Sequence, residues 1–192
     1  MTFARSVRDA EVEGVGLLRR LELLDAALEL WRGPAFDEVA GEEWAIGEVE
    51  RLQELRLVAL ERRFDTMLAL GRHVEALPAL SQAVREHPLR DRLVGHHMLA
   101  LFRSGRQAEA ARAFQAHRSR LGQQLGLEPG IALAELDRRI VSGDATLLGE
   151  GSAPSSGRSV RGYRLAEQLG QARSRWCSVL RSPPSTARWP SR

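Results

Sequence analysis

The sequence predicts an all-α fold: a stack of antiparallel helix hairpins, about seven helices in all, followed by a disordered C-terminal tail. Three observations carry this. Leu, Ala, Arg and Glu dominate the 192 residues, aromatics make up only 5%, and no stretch shows the strict apolar–polar alternation of a half-buried strand. Apolar residues recur instead at helical steps: Leu17, Leu21, Leu24, Leu28 and Trp31 fall four, three, four and three apart. Finally, one pattern occurs twice. Met67-Leu68-Ala69-Leu70-Gly71-Arg72-His73-Val74-Glu75-Ala76 is matched by Leu101-Phe102-Arg103-Ser104-Gly105-Arg106-Gln107-Ala108-Glu109-Ala110.

The two copies keep a constant offset. Gly71 and Gly105 stand 34 positions apart, as do Arg72 and Arg106, Glu75 and Glu109, and Ala76 and Ala110. That is the period of the tetratricopeptide repeat, two antiparallel helices around a tight turn. A glycine just past a helix end takes the left-handed conformation at little cost. Small Ala76 and Ala110, early in the second helix of each unit, let the pair close up. Pro88 follows the first unit where the chain must turn again.

In chain order, Phe3 to Glu13 reads as a first helix, with Phe3, Val7 and Ala10 on one face and Gly14 and Gly16 closing it. Leu17 to Trp31 is the second, ended by Gly33-Pro34. The acidic loop from Pro34 to Glu43 carries Phe36 and Val39, which are expected to dock on the core. Trp44 to Leu70 reads as one long helix, weakest at Gly47. Its apolar side is Val49, Leu52, Leu55, Leu60, Phe64, Met67 and Leu68, and its charged side Glu48, Glu50, Arg51, Glu54, Arg56, Glu61 and Arg62. Helices over Val74–Glu86, Leu89–Phe102, Gln107–Gln124 and Ile131–Val141 follow. Pro78 sits one turn into its helix, where a missing N–H costs little, and Gly126 and Pro129 mark a stop and a new start. The division expected is a helical domain over 1–145, a Gly/Ser/Pro-rich linker over 146–162 and a basic disordered tail over 163–192.

Charge divides the same way. Residues 151–192 hold eight Arg against one acid, Glu167, for a net +7, whereas residues 1–150 hold 20 Arg and 24 acids, for a net −4. Lys is absent, so all 28 basic residues are Arg, which reflects GC-rich coding more than chemistry. A mildly acidic helical body makes a poor surface for duplex DNA, which needs a clustered basic face. No run is long and apolar enough to span a bilayer, and no apolar segment follows Met1, so neither a membrane anchor nor a signal peptide is expected. A single Cys177 rules out an internal disulfide framework and suits a reducing cytoplasm.

A family resemblance rests on residues spread along the body. Leu28-Glu29-Leu30-Trp31-Arg32-Gly33-Pro34-Ala35-Phe36 and Glu50-Arg51-Leu52-Gln53-Glu54-Leu55-Arg56 open it. Leu70-Gly71-Arg72-His73, Glu86-His87-Pro88-Leu89-Arg90, the second repeat copy and Leu125-Gly126-Leu127-Glu128-Pro129-Gly130 continue it. In this order they resemble the bacterial transcriptional activator domain of SARP-type regulators, over roughly residues 3–145. The resemblance implies a tetratricopeptide-like helical domain within a transcription regulator, acting through protein contacts. In that family the domain follows a winged-helix DNA-binding domain, and no recognition helix with a basic face precedes Phe3 here. Direct DNA binding is therefore not expected of this chain. The residues it marks out are Trp31, Arg32, Gly33, Pro34, Gly71, Arg72, Ala76, Pro88, Gly105, Arg106, Ala110, Gly126 and Pro129.

The tail has a shorter resemblance. Gly162-Tyr163-Arg164-Leu165-Ala166-Glu167-Gln168-Leu169-Gly170 looks like the first strand of a protein kinase domain. The repeated Gly and the Lys such a domain needs next are missing. Codons can be chosen for Gln171 to Arg192 whose shifted frame restores both, so the tail reads as an out-of-frame kinase-like remnant.

Sharper chemistry finds little footing. His96 and His97 are adjacent and face different sides of a helix, and His73, His87 and His117 fall elsewhere, so turn and surface roles are expected and no metal. Ser104, Ser119 and Asp91 lack a nucleophile elbow, so no catalytic residue and no cofactor are expected. The acidic patch Asp37, Glu38, Glu42 and Glu43 reads as a solvated loop, Trp31 and Trp44 as core anchors, and Arg32 as a helix cap or a partner for that loop. Trp176 and Trp189 among Arg residues would suit single-stranded nucleic acid, but disorder is the plainer reading. The leading expectation is a non-enzymatic, cytoplasmic helical-repeat domain that binds a protein: a DNA-binding domain, RNA polymerase or a second copy of itself. A general tetratricopeptide adaptor, nucleic-acid binding through the tail, and a truncated reading frame without activity of its own are the alternatives.

Overall fold

The computed structural model describes residues 3–31 and 43–149, with backbone alone at 43–44, and the backbone of 159–160, 163–172 and 175–181. Among these residues seven α-helices follow one another: α1 (Phe3–Glu11), α2 (Leu17–Glu29), α3 (Glu43–Ala69), α4 (His73–Glu86), α5 (Asp91–Arg103), α6 (Gln107–Leu125) and α7 (Ile131–Val141). A 3-10 turn, Ala145–Leu148, ends the helical body. Consecutive helices pack as hairpins, and α5 also meets both α3 and α7, two elements away on either side. Contact to the next element and the next but one is how a repeat stack builds a continuous core.

The repeat is visible in the turns. Gly71 has φ +74° and Gly105 φ +75°, the left-handed region that a side chain would resist. Each glycine N–H reaches a carbonyl three residues back, Gly71 to Leu68 at 3.1 Å and Gly105 to Phe102 at 2.9 Å. The following Arg closes the wider loop, Arg72 N to Met67 O and Arg106 N to Leu101 O, both 2.9 Å. Orphan carbonyls at the helix ends are thereby satisfied in the same way twice. Ala76 and Ala110, beyond these turns, are fully buried against the preceding helix.

Three apolar clusters run along the stack. Val7, Ala10, Leu23, Leu24, Ala27 and Ala59 join α1, α2 and α3. Leu57, Phe64, Met67 and Leu68 of α3 meet Ala76, Leu80 and Ala83 of α4 and Leu93 and Ala100 of α5. Val94, Met98, Leu101 and Phe102 of α5 meet Ala110 and Phe114 of α6, Leu133 and Ile140 of α7, and Leu147. Each large side chain fully removed from water contributes about 1.5–3 kcal/mol.

The expected faces need two corrections. Leu17 is 38% exposed, while Leu23 and Ala27 are buried. The reason is that α2 lies between α1 and α3, so two flanks of it are covered and the strict single stripe underestimates its apolar width. Glu61, expected on the charged outer side of α3, is only 5% exposed, because α5 lies over it with Arg92 Nε 3.8 Å from its carboxylate.

Beyond Gly149 the described backbone runs in an antiparallel meander in the order β1 (Ser159–Val160), β2 (Tyr163–Ala172), β3 (Arg175–Arg181). The register of β2 with β3 is interrupted between Leu165 and Glu167 and between Gln168 and Gly170. Residues 182–192 lie outside the described residues, as do Arg32, Gly33, Pro34 and the acidic loop.

Replacing Ala76 or Ala110 with Trp should overpack a helix pair, costing about 1–3 kcal/mol or more. Thermal unfolding of each variant is the check, and an unchanged midpoint for both would remove the repeat packing described above.

Candidate protein-contact groove

Helices α3, α5 and α7 are the first helices of successive hairpins, and they line one side of the stack. On α3 this side presents Glu54, Glu61 and Asp65, and on α5 Arg92, His96 and Leu99. Between α5 and α7 it opens into a cavity of about 420 Å³, lined by Gly95, Leu99, Ala132, Leu133 and Leu136 below and by Asp91, Arg92, His96 and Gly130 at the rim. Mid-helix Gly95 contributes no side chain here. A Cβ at that position would come within 3.4 Å of Leu133 Cδ1 and 3.6 Å of Leu136 Cδ2. An apolar floor with a few polar groups around it is the usual make-up of a recognition pocket.

The polar groups are fixed by one another across elements. Arg92 bonds Asp65, and Arg90 bonds Glu54, so α5 is laced to α3. His96, 8% exposed, sets Nε2 2.6 Å from Asp65 Oδ1, while its Nδ1 has no hydrogen-bond partner among the described residues. Burial opposes charge on Asp65, but the hydrogen bonds and positive charge of His96 and Arg92 outweigh it and hold the carboxyl below its ordinary pKa. On the other flank, His117 of α6 reaches Asp91 Oδ1 through Nε2 at 2.6 Å and the Pro88 carbonyl through Nδ1 at 3.1 Å. Asp91 Oδ2 accepts from Gly130 N at 2.6 Å, which anchors the start of α7 to the start of α5.

At the far end of α5, Arg103 donates through Nη1 to Leu68 O and through Nε to Leu147 O, both 2.7 Å. It thus caps the last turn of α3 and clips the 3-10 turn in place. Burial lowers its pKa without displacing it from the fully charged range of an arginine. Asp144 starts that turn by accepting from Thr146 and Arg139, and these bonds draw its pKa down to about 2.

The residues marked out by sequence are distributed through the stack and do not converge on a reactive centre. Gly71, Arg72, Gly105 and Arg106 form the two hairpin turns, where Arg106 also holds Glu109 through two bonds of 2.7 Å. Gly126 ends α6, with Leu127 N on Leu121 O at 3.4 Å, and Pro129 lies in the short connection that delivers Gly130 to Asp91. Pro88 offers its carbonyl to His117. Trp31 is half-buried between Phe3, edge-on at 5.4 Å between ring centroids, and the Arg56 guanidinium 5.2 Å from its ring centre.

The sequence reading missed the two buried His–Asp pairs, having placed the histidines in turns and on the surface. A signal was present for His117: Ala110, Phe114, His117 and Leu121 recur at steps of four, three and four, so the ring had to point inward. Its partner, Asp91, is 26 positions away, which no periodicity reveals. Among the described residues no group of His, Cys, Asp and Glu is placed to hold a metal, and no helix is long and apolar enough to cross a membrane.

Gly130→Ala should destabilise the body by about 1–3 kcal/mol, since the new Cβ would meet Asp91 Oδ2 at 2.7 Å and that carboxylate is already pinned by His117. Urea unfolding measures this, and a neutral result would show that Asp91 is not a fixed point of the rim.

Comparison with known proteins places these features in context. The family model for the bacterial transcriptional activator domain matches residues 2–141. Regulatory protein DnrI of Streptomyces peucetius is 43% identical over 118 residues, which are 62% of this chain and 43% of DnrI. Regulatory protein AfsR of Streptomyces coelicolor is 44% identical over 126 residues, 66% of this chain and 13% of AfsR. The structure of Mycobacterium tuberculosis EmbR in complex with a low-affinity phosphopeptide matches with a TM-score of 0.66 at 28% identity, covering 71% of this chain and 36% of EmbR. The chain therefore spans less than half the length of these relatives.

Proposed function

This chain belongs to the bacterial transcriptional activator domain family, and we propose that its helical body serves a transcription regulator as a protein-contact module. The observation that carries the proposal is the groove: a continuous side built by α3, α5 and α7, with an apolar cavity and a rim whose charges are already paired. Such a surface takes an apolar side chain from a partner helix or peptide and leaves no charge to be neutralised. The net charge of −4 over residues 1–150 argues against duplex DNA as the direct ligand of this body. The partner is a DNA-binding domain, RNA polymerase or a second copy of the chain, met in the cytoplasm and without catalysis. EmbR, of which the matched part is 36%, was solved in complex with a phosphopeptide, which supports a peptide or protein partner for a regulator of this kind.

Residues 1–145 form the contact module in this reading, 146–162 the linker, and 163–192 a kinase-like remnant read out of frame. Strand β2 over Tyr163–Ala172 agrees with the first-strand likeness of Gly162 to Gly170. Sequencing the locus should show a kinase-like frame reopening after Gly170. Relatives that end in this same tail within an uninterrupted gene would remove the remnant.

Cross-linking in living cells, followed by identification of what the chain captures, tests the contact role. A component of the transcription machinery, or a second copy, is expected. Ala132→Arg, an exposed position on the cavity wall, should cut that capture at least about tenfold while leaving the melting temperature nearly unchanged. Undiminished capture would move the contact elsewhere on the body, and a partner unconnected with transcription would favour a general adaptor.

A further inference from the structure

Two acceptors face one buried ring. His117 is 1% exposed, with the Pro88 carbonyl 3.1 Å from Nδ1 and Asp91 Oδ1 2.6 Å from Nε2. A carbonyl oxygen and a carboxylate oxygen both need a hydrogen from the ring, and a neutral imidazole has only one to give. The imidazolium has two. His96 is different: one N–H serves its contact with Asp65, and its other nitrogen faces no acceptor among the described residues.

We infer that His117 is a protonation-operated clasp on the rim of the groove, an inference that rests on the docking role proposed for that groove. In its charged form His117 ties the turn after α4, through Pro88, to the first residue of α5, through Asp91. Asp91 in turn holds Gly130 N, and both Asp91 and Gly130 line the cavity. On losing a proton the ring keeps the hydrogen on Nε2, because the bond to a carboxylate is charge-assisted and the shorter of the two. Nδ1 then turns a lone pair toward the Pro88 oxygen, and the two repel. The turn at Pro88 separates from α6, and the start of α5, which it leads into, moves with it. Raising the pH thus loosens the wall of the pocket that Asp91 and Gly130 build.

The charges on surrounding elements do not compete for the ring. Arg90 pairs with Glu54, Arg92 with Asp65, Arg118 with Glu128, and Arg138 with Glu135. His87 precedes Pro88 in the turn and Arg120 lies on α6. Among the described residues, Asp91 is the acid hydrogen-bonded to His117.

The test is a titration of the full chain with 15N-labelled histidine, followed by NMR over roughly pH 5 to 9, a span wider than the interval in which an unperturbed histidine changes charge. At the acid end His117 should carry hydrogens on both ring nitrogens. As the pH rises, Nδ1 should lose its hydrogen, and the Gly130 amide should shift with the same midpoint. In His117→Gln the Gly130 response should vanish; if that variant does not fold, the wild-type titration decides alone. A His117 ring with one bare nitrogen throughout, or a Gly130 amide that ignores the His117 midpoint, would overturn the clasp. No partner enters this measurement, so a groove that binds nothing would sink the docking role and leave the clasp standing.

Discussion

The helical body depends on how α5 is held. One flank of this helix gives Leu93 and Ala100 to the core shared with α3 and α4, and the other gives Val94, Met98 and Leu101 to the core shared with α6 and α7. Apolar contact alone would leave the helix able to slide, because hydrophobic burial has no direction. The polar contacts supply the direction. His96 fits Asp65 at one level of α3, and Arg103 fits the Leu68 carbonyl at another. Asp91 fits His117 and Gly130 N on the opposite side. A buried polar group left without its partner costs about 1–3 kcal/mol, so a shift of one helical turn would forfeit several such bonds together.

That division explains what could be read in advance. The existence, order and approximate ends of the seven helices were legible, because each depends on local periodicity, on glycines that stop helices, and on a spacing of 34 that repeats. Gly71 and Gly105 show how far local chemistry reaches: the residue type foretells the left-handed turn, and the turn fixes the hairpin. Burial that depends on the next layer was not legible. Glu61 looks like one of several charges on an outer face until α5 is laid across it. Leu17 looks like the start of a core stripe, yet the packing of α1 and α3 against α2 buries Leu23 and Ala27 and leaves Leu17 partly in water. The groove was least legible of all, since its walls come from positions 91 to 99 and 130 to 136, which no single helix unites.

One wall of the groove breaks a local rule of helix composition. Gly95 is in the middle of α5, where glycine costs about 1 kcal/mol relative to alanine. Its neighbours across the gap, Leu133 and Leu136, stand at ordinary contact distance from where a Cβ would lie, so an alanine would fit without displacing either. Close packing therefore does not demand a glycine here, and helix propensity disfavours one. What the missing side chain does provide is room, on the wall of a cavity whose other apolar lining is Leu99, Ala132, Leu133 and Leu136. The cost is one that packing in the core does not offset, and it fits the docking role proposed for the cavity. Local rules tend to be broken in this way at functional sites. The same stretch of α5 carries Asp91, Arg92 and His96, so the α5 side of the cavity holds both an open wall and most of the polar rim. A partner that fills the cavity would thus press directly on the helix that packs against α3, α4, α6 and α7.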